Sequence, residues 1–106
     1  MKPLEEILAS IESANDRYRT LKLSFISDQS EILRDLSCAF VDLIQHKKEA
    51  RNSWLNVYNS TDGTNAFKTR KADTEVREYD LIKGIMKAVQ MQVDSVRSTI
   101  SANKQQ

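Results

Sequence analysis

Residues 72–100 read ADTEVREYDLIKGIMKAVQMQVDSVRSTI. Within them Ala72, Val76, Tyr79, Ile82, Met86, Val89, Val93, Val96 and Ile100 follow one another at separations of 4, 3, 3, 4, 3, 4, 3 and 4 residues. Steps of three and four keep side chains on one stripe of an α-helix, and a stripe sustained over about four heptads is a coiled-coil seam or a bundle face. Its valines are β-branched and rotamer-poor, which suits a fixed packing surface. Gly84 lies off the stripe and weakens the helix modestly, and residues 101–106 are expected to form a frayed polar tail.

Upstream, Asn59-Ser60-Thr61-Asp62-Gly63-Thr64-Asn65 is the clearest boundary in the chain. Asp62-Gly63 supplies the left-handed conformation that a sharp reversal needs. Before it, Ile32, Leu36, Ala39, Phe40, Leu43, Ala50, Trp54 and Tyr58 recur at helical spacing. Earlier still, Leu4, Ile7, Leu8, Ile11, Ala14, Tyr18, Leu21 and Phe25 form another stripe, led by Pro3 with Glu5 and Glu6 near the positive helix start. Ser27-Asp28-Gln29-Ser30-Glu31 separates these two stripes and offers capping chemistry at Ser27 or Asp28. No Gly or Pro forces a break there, so one continuous bent helix is the alternative.

The expected fold is all-α. Two to three long helices form a helical hairpin or small bundle with a coiled-coil-like C-terminal helix. The elements are helices at about 4–26 and 28–59, a loop at about 59–66 and a helix at about 68–102, in one domain. Composition agrees: two glycines and one proline in 106 residues are too few for a turn-rich β fold. So short a chain buries a limited core, and helical chains of this size often self-associate. The nine-position stripe exceeds what one partner hairpin needs, so Val76, Tyr79, Ile82, Met86, Val89, Val93, Val96 and Ile100 are expected to bind a second copy.

Catalytic and metal chemistry find no foothold. His46 is the sole histidine and Cys38 the sole cysteine, which excludes an intramolecular disulfide and a conventional zinc site. Cys38, among Leu36, Ala39 and Phe40, reads as a small packed hydrophobe. Eight residues, about two helical turns, separate Cys38 from His46, too far for a nucleophile–base hydrogen bond. Gly63 and Gly84 are isolated, so there is no phosphate loop. The reading is a non-enzyme without cofactor. No apolar run approaches the ~20 residues of a membrane span, and Met1-Lys2-Pro3-Leu4-Glu5-Glu6 lacks a signal-peptide pattern, so a cytoplasmic protein is expected.

One segment stands out. The whole chain carries sixteen basic and fifteen acidic residues, but residues 46–71 hold Lys47, Lys48, Arg51, Lys68, Arg70 and Lys71 against Glu49 and Asp62. Trp54, Tyr58 and Phe67 lie in the same segment. Cations beside partly exposed rings are what single-stranded nucleic acid uses, charge tracking phosphates and rings stacking on bases. Its two halves flank the reversal, so the two cation groups are expected to converge at one end, with Lys47, Lys48, Arg51, Trp54, Lys68, Arg70 and Lys71 binding the strand. The same rings packing the hairpin end beneath solvated lysines is the structural alternative.

Lys48-Glu49-Ala50-Arg51, Tyr58, Asp62-Gly63, Lys71-Ala72-Asp73-Thr74-Glu75-Val76 and Val93-Asp94-Ser95-Val96-Arg97-Ser98 resemble stretches of the UvsY-type recombination mediators of tailed phages. The likeness spans about residues 45–100, and Ile100-Ser101-Ala102-Asn103-Lys104 is similar to short helical phage-encoded proteins. The resemblance implies an oligomeric accessory protein, in the cytoplasm of a host bacterium, that binds single-stranded DNA and helps load a recombinase in place of a single-strand-binding protein. In that family a Lys-Ala-Arg run contributes to DNA binding. Arg51 matches its arginine, Glu49 stands where it has lysine, and Lys47 and Lys48 precede it by a turn. A helical phage adaptor or inhibitor of a host protein, of anti-defence type, suits a near-neutral bundle as well. Trp54-Leu55-Asn56 lacks the glycine of secreted WXG-type hairpins.

Overall fold

The computed structural model describes residues 2–20 and 26–104. They form four α-helices and no strand: α1 (Leu4–Thr20), α2 (Ile26–Ser60), α3 (Asn65–Lys71) and α4 (Asp73–Lys104). The all-α expectation holds. The layout is finer than expected, because the closing helix is two helices and the reversal is shorter than residues 59–66.

Each terminus has a local cause. The Pro3 carbonyl accepts from the backbone N–H groups of Glu6 and Ile7 and opens α1, with Glu5 and Glu6 in its first turn and Arg17 and Arg19 in its last. The expected capping site at Ser27 or Asp28 does not start α2, which already begins at Ile26. The expected extension of the first helix through residues 21–25 lies outside the described residues. Between α2 and α3, Gly63 takes φ +125°, a conformation that side chains resist. Thr64 then caps α3, its hydroxyl accepting from the Phe67 N–H at 3.2 Å. Ala72 ends α3 with φ −92° and ψ 8°, donating to the Lys68 carbonyl, while its own carbonyl accepts from Val76 N–H and begins α4. α3 closes on Lys68, Arg70 and Lys71, and α4 opens on Asp73 and Glu75, so charges of each sign sit at the dipole end that favours them.

α2 and α4 run antiparallel and make the longest interface; α1 lies antiparallel along the first part of α2. The alternative of one continuous bent helix turns on residues 21–25, which lie outside the described residues. Arg17 reaches Asp35 at 2.6 Å and Glu31 at 3.6 Å, while at the opposite end of α1 the Lys2 ammonium stands 3.9 Å from Asp42. Tyr18 and Thr99 share a hydroxyl hydrogen bond of 3.0 Å that ties α1 to α4. The molecule is a rod of 62 × 23 × 18 Å. Its radius of gyration, 18.0 Å, exceeds the roughly 13 Å of a compact domain of this length.

The core joins Ile7 and Ala14 of α1, Ile32, Leu36, Ala39, Leu43 and Ala50 of α2, and Ile82, Met86, Val89, Val93, Val96 and Ile100 of α4. Each fully buried large aliphatic side chain contributes about 1.5–3 kcal/mol. The stripe of α4 expected to bind a second copy is therefore occupied within the chain. Ile82, Met86, Val89, Val93, Val96 and Ile100 are buried, and Val76 and Tyr79 are half-buried. The heptad pattern was right about a packing face and wrong about its partner, because α2 and α1 already fill it. Cys38 is also corrected: it is exposed. Leu36, Ala39 and Phe40 neighbour it in sequence, but residues one and two apart on a helix point different ways.

Candidate nucleic-acid interface

α1 spans 17 residues, about 25 Å, whereas α2 spans 35, about 52 Å. With Lys2 beside Asp42 and His46, α1 covers α2 only up to about that point. Beyond it α1 no longer covers α2 and α4, only the seven-residue α3 packs against their ends, and there the partly exposed rings gather. Trp54 meets Tyr58 edge-on, with ring centroids 6.3 Å apart, and Tyr79 at a tilt, 6.5 Å apart. Tyr58 also donates its hydroxyl to the Asn65 side-chain oxygen at 3.0 Å, locking the end of α2 to α3.

A lysine stands over each ring at the rim. The Lys68 ammonium lies 5.3 Å from the Tyr58 centroid, that of Lys71 5.6 Å from Phe67, and that of Lys83 5.3 Å from Tyr79. At this range the ring quadrupole attracts the cation, by about 0.5–1 kcal/mol at exposed sites. Phe67 itself is 43% exposed.

Two grooves lie near these rings, the second reaching back along α2 to Phe40, level with the start of α1. One, of about 540 Å³ and mostly apolar, has Trp54, Tyr58, Ala72, Val76 and Tyr79 in its walls, with Asp80 at its edge. The other, of about 390 Å³, is lined by Phe40, Lys47, Met86, Lys83, Lys87 and Met91. Lys83 lines the second groove, and its ammonium stands over Tyr79 of the first. On α2, Phe40, Lys47 and Trp54 recur every seven residues with Tyr58 four further on; on α4, Tyr79, Lys83 and Lys87 recur every four. Those spacings hold each set on one face of its helix.

The seven expected strand-binding residues are thus divided. Lys68 and Lys71 stand over rings at the hairpin end, and Trp54 lies between rings of both long helices. Lys47 sits 13 residues before the end of α2, about 20 Å away along the axis, and shares its groove with Lys83 and Lys87. Lys48, Arg51 and Arg70 are exposed and line neither groove. Of the two cation groups, Lys47 thus stands apart from Lys68 and Lys71 at the hairpin end. Lys83 and Lys87 were missed because they lie outside the basic segment, although the Tyr79-Lys83-Lys87 spacing beside the apolar stripe was there to be read.

Elsewhere, Cys38 and His46 are not paired. The His46 Nε2–H donates to the Lys2 carbonyl at 2.7 Å, which commits that ring nitrogen to holding the start of the chain. Among the described residues no group of three His, Cys, Asp or Glu side chains is placed to hold a metal ion, and no helix is long and apolar enough to cross a membrane. A scan against protein-family models, a search of curated proteins and a search of solved structures each return no match.

Proposed function

We propose that this protein is a non-catalytic accessory factor that binds single-stranded nucleic acid along the open face of the α2/α4 hairpin. The observation that carries this reading is the run of partly exposed rings, Tyr58, Trp54, Tyr79 and Phe40, alternating with Lys68, Lys83, Lys47 and Lys87 over some 18 residues of α2, about 27 Å. A single strand is bound by such an arrangement, phosphates by the ammonium groups and bases by the rings, without sequence-specific contacts. The recombinase-loading role in a phage-infected cytoplasm rests on the UvsY-type resemblance and joins the proposal on that ground. Glu49 in place of the family lysine matters less in this reading, because Lys47, Lys83 and Lys87 supply the charge.

Binding of a labelled single-stranded oligonucleotide, followed by anisotropy across a salt series, tests the reading. Affinity should fall steeply with salt, and Lys47→Ala, Lys83→Ala and Lys87→Ala should each flatten the logarithmic slope by about 0.7. Absence of binding in low salt, or charge variants that bind like the wild type, would overturn it. The adaptor reading would then take its place, for Val41, Leu81 and Met91 are 60–65% exposed and offer apolar anchors to a protein partner.

A further inference from the structure

We infer that the groove between Trp54, Tyr58 and Tyr79 is a subsite for one unstacked nucleobase, with a preference for bases that carry an exocyclic amino group. This rests on the single-strand reading and goes beyond it, since a track of charge and rings needs no such subsite. The volume, about 540 Å³, lies in the roughly 300–1,000 Å³ range of small-molecule sites. Its lining is divided in the way a base is divided. Three rings, of Trp54, Tyr58 and Tyr79, offer apolar walls to a planar face. Asn59, Thr69 and Asp80 stand in the same lining and offer an amide, a hydroxyl and a carboxylate to a hydrogen-bonding edge. The Thr69 hydroxyl already donates to the Asn65 carbonyl at 2.8 Å, so toward a ligand it acts as an acceptor, whereas an aliphatic side chain from a protein partner would use the walls and none of these polar groups.

Charge completes the match. Lys68 stands over Tyr58 on one side and Lys83 over Tyr79 on the other, so the phosphates that flank an inserted base meet an ammonium in each direction. α3, which supplies Thr69, carries three cations and no acid. A carboxylate at Asp80 accepts, so it is matched by the amino groups of cytosine, adenine and guanine, whereas thymine offers only an N3–H flanked by two carbonyl oxygens that the carboxylate repels. The indole Nε1 of Trp54 is buried and has no hydrogen-bond partner among the described residues.

Trp54 is the only tryptophan, so its fluorescence reports this groove alone. The wild-type protein is titrated in low salt with oligodeoxycytidylate, oligothymidylate and an abasic strand of equal length, reading fluorescence and, in parallel, anisotropy of the labelled strand. The cytidylate should quench Trp54 and bind roughly tenfold more tightly than the abasic strand, thymidylate should fall between them, and Asp80→Asn should narrow the cytidylate–thymidylate gap. Equal affinity for abasic and cytidylate strands with unchanged fluorescence overturns the base subsite and leaves the single-strand reading intact. Failure of every strand to bind overturns both. Tyr79→Phe keeps the ring and should bind as the wild type does, whereas Tyr79→Ala, verified as folded by circular dichroism, should lose the quenching.

Discussion

The half of the rod covered by α1 and the half left bare use the same two helices, yet they are packed by different means. In the covered half, aliphatic side chains of three helices meet: Ile7, Ile32, Leu36, Leu43, Val93 and Val96 are almost wholly buried. In the bare half the buried set shrinks to Ala50, Ala72 and Ile82, and Trp54, Leu55, Val57, Tyr58, Val76 and Tyr79 are only half-buried. Two helices cannot enclose a side chain on all sides. With only the short α3 at its end, the bare half substitutes ring size for a third long helix, since an aromatic side chain buries about 150–250 Å². Rings that serve this purpose are necessarily part-exposed. The packing need that places Trp54 and Tyr79 there also creates the surface on which a base can stack.

The contrast can be broken most severely with charge. Val93→Asp puts an unpaired carboxylate where exposure is 4%, and burying such a group costs several kcal/mol against a total stability of about 5–15. Loss of the helical circular dichroism signal at 25 °C is expected, and a folded Val93→Asp monomer would show that the covered half is not the stabilising one. Leu81→Asp, at a site 60% exposed, should leave the signal intact. The pair also tests what the α4 stripe does: disruption should unfold the single chain and not merely dissociate an assembly.

Truncation gives a graded version. Leu36→Ala, at 0% exposure, should cost about 2–5 kcal/mol in urea unfolding. Leu55→Ala, in the half-buried set, should cost below about 1.5 kcal/mol. Similar losses at the two positions would erase the distinction between the halves.

The two glycines, both in the bare half, should respond in opposite directions. At Gly63, φ +125° and a new Cβ 3.1 Å from Phe67 Cδ1 make Gly63→Ala unfavourable, by about 1 kcal/mol or more. At Gly84 a Cβ meets nothing within 4 Å, and Gly84→Ala should raise stability by about 0.5–1 kcal/mol. Thermal unfolding of the two variants measures both. The smallest effect belongs to Cys38→Ala: the thiol is exposed even though it lies in the covered half, so stability should stay within about 0.5 kcal/mol.

The features that sequence revealed are those whose cause is local or periodic. The run from Ile82 to Ile100 announced the α4 face, and Asp62-Gly63 announced the reversal, because spacing and backbone freedom are written residue by residue. The Ala72 break was hidden, for alanine favours helix and nothing beside it is a breaker. Its cause is tertiary: Ala72 is fully buried where the chain turns from α3 to α4. The partner of the α4 stripe was hidden too, since a heptad pattern is silent on whether the facing helix belongs to the same chain. In the candidate site, rings and cations were legible as residue types. Their grouping was not, because proximity in sequence concealed about 20 Å of helix between Lys47 and the hairpin end.

The rod's length has an electrical consequence. Residues 47–87 carry nine basic and six acidic side chains, and the remainder seven basic and nine acidic, so the ends of a 62 Å body are opposite in sign. Such a body has a permanent electric moment along its axis, and in the field of a polyanion it experiences a torque that turns the α3 end forward before any contact is made. Because 62 Å is several times the ~8 Å Debye length at physiological salt, the two poles are screened independently. Added salt compresses the ion atmosphere at both poles alike, and it would therefore slow oriented approach.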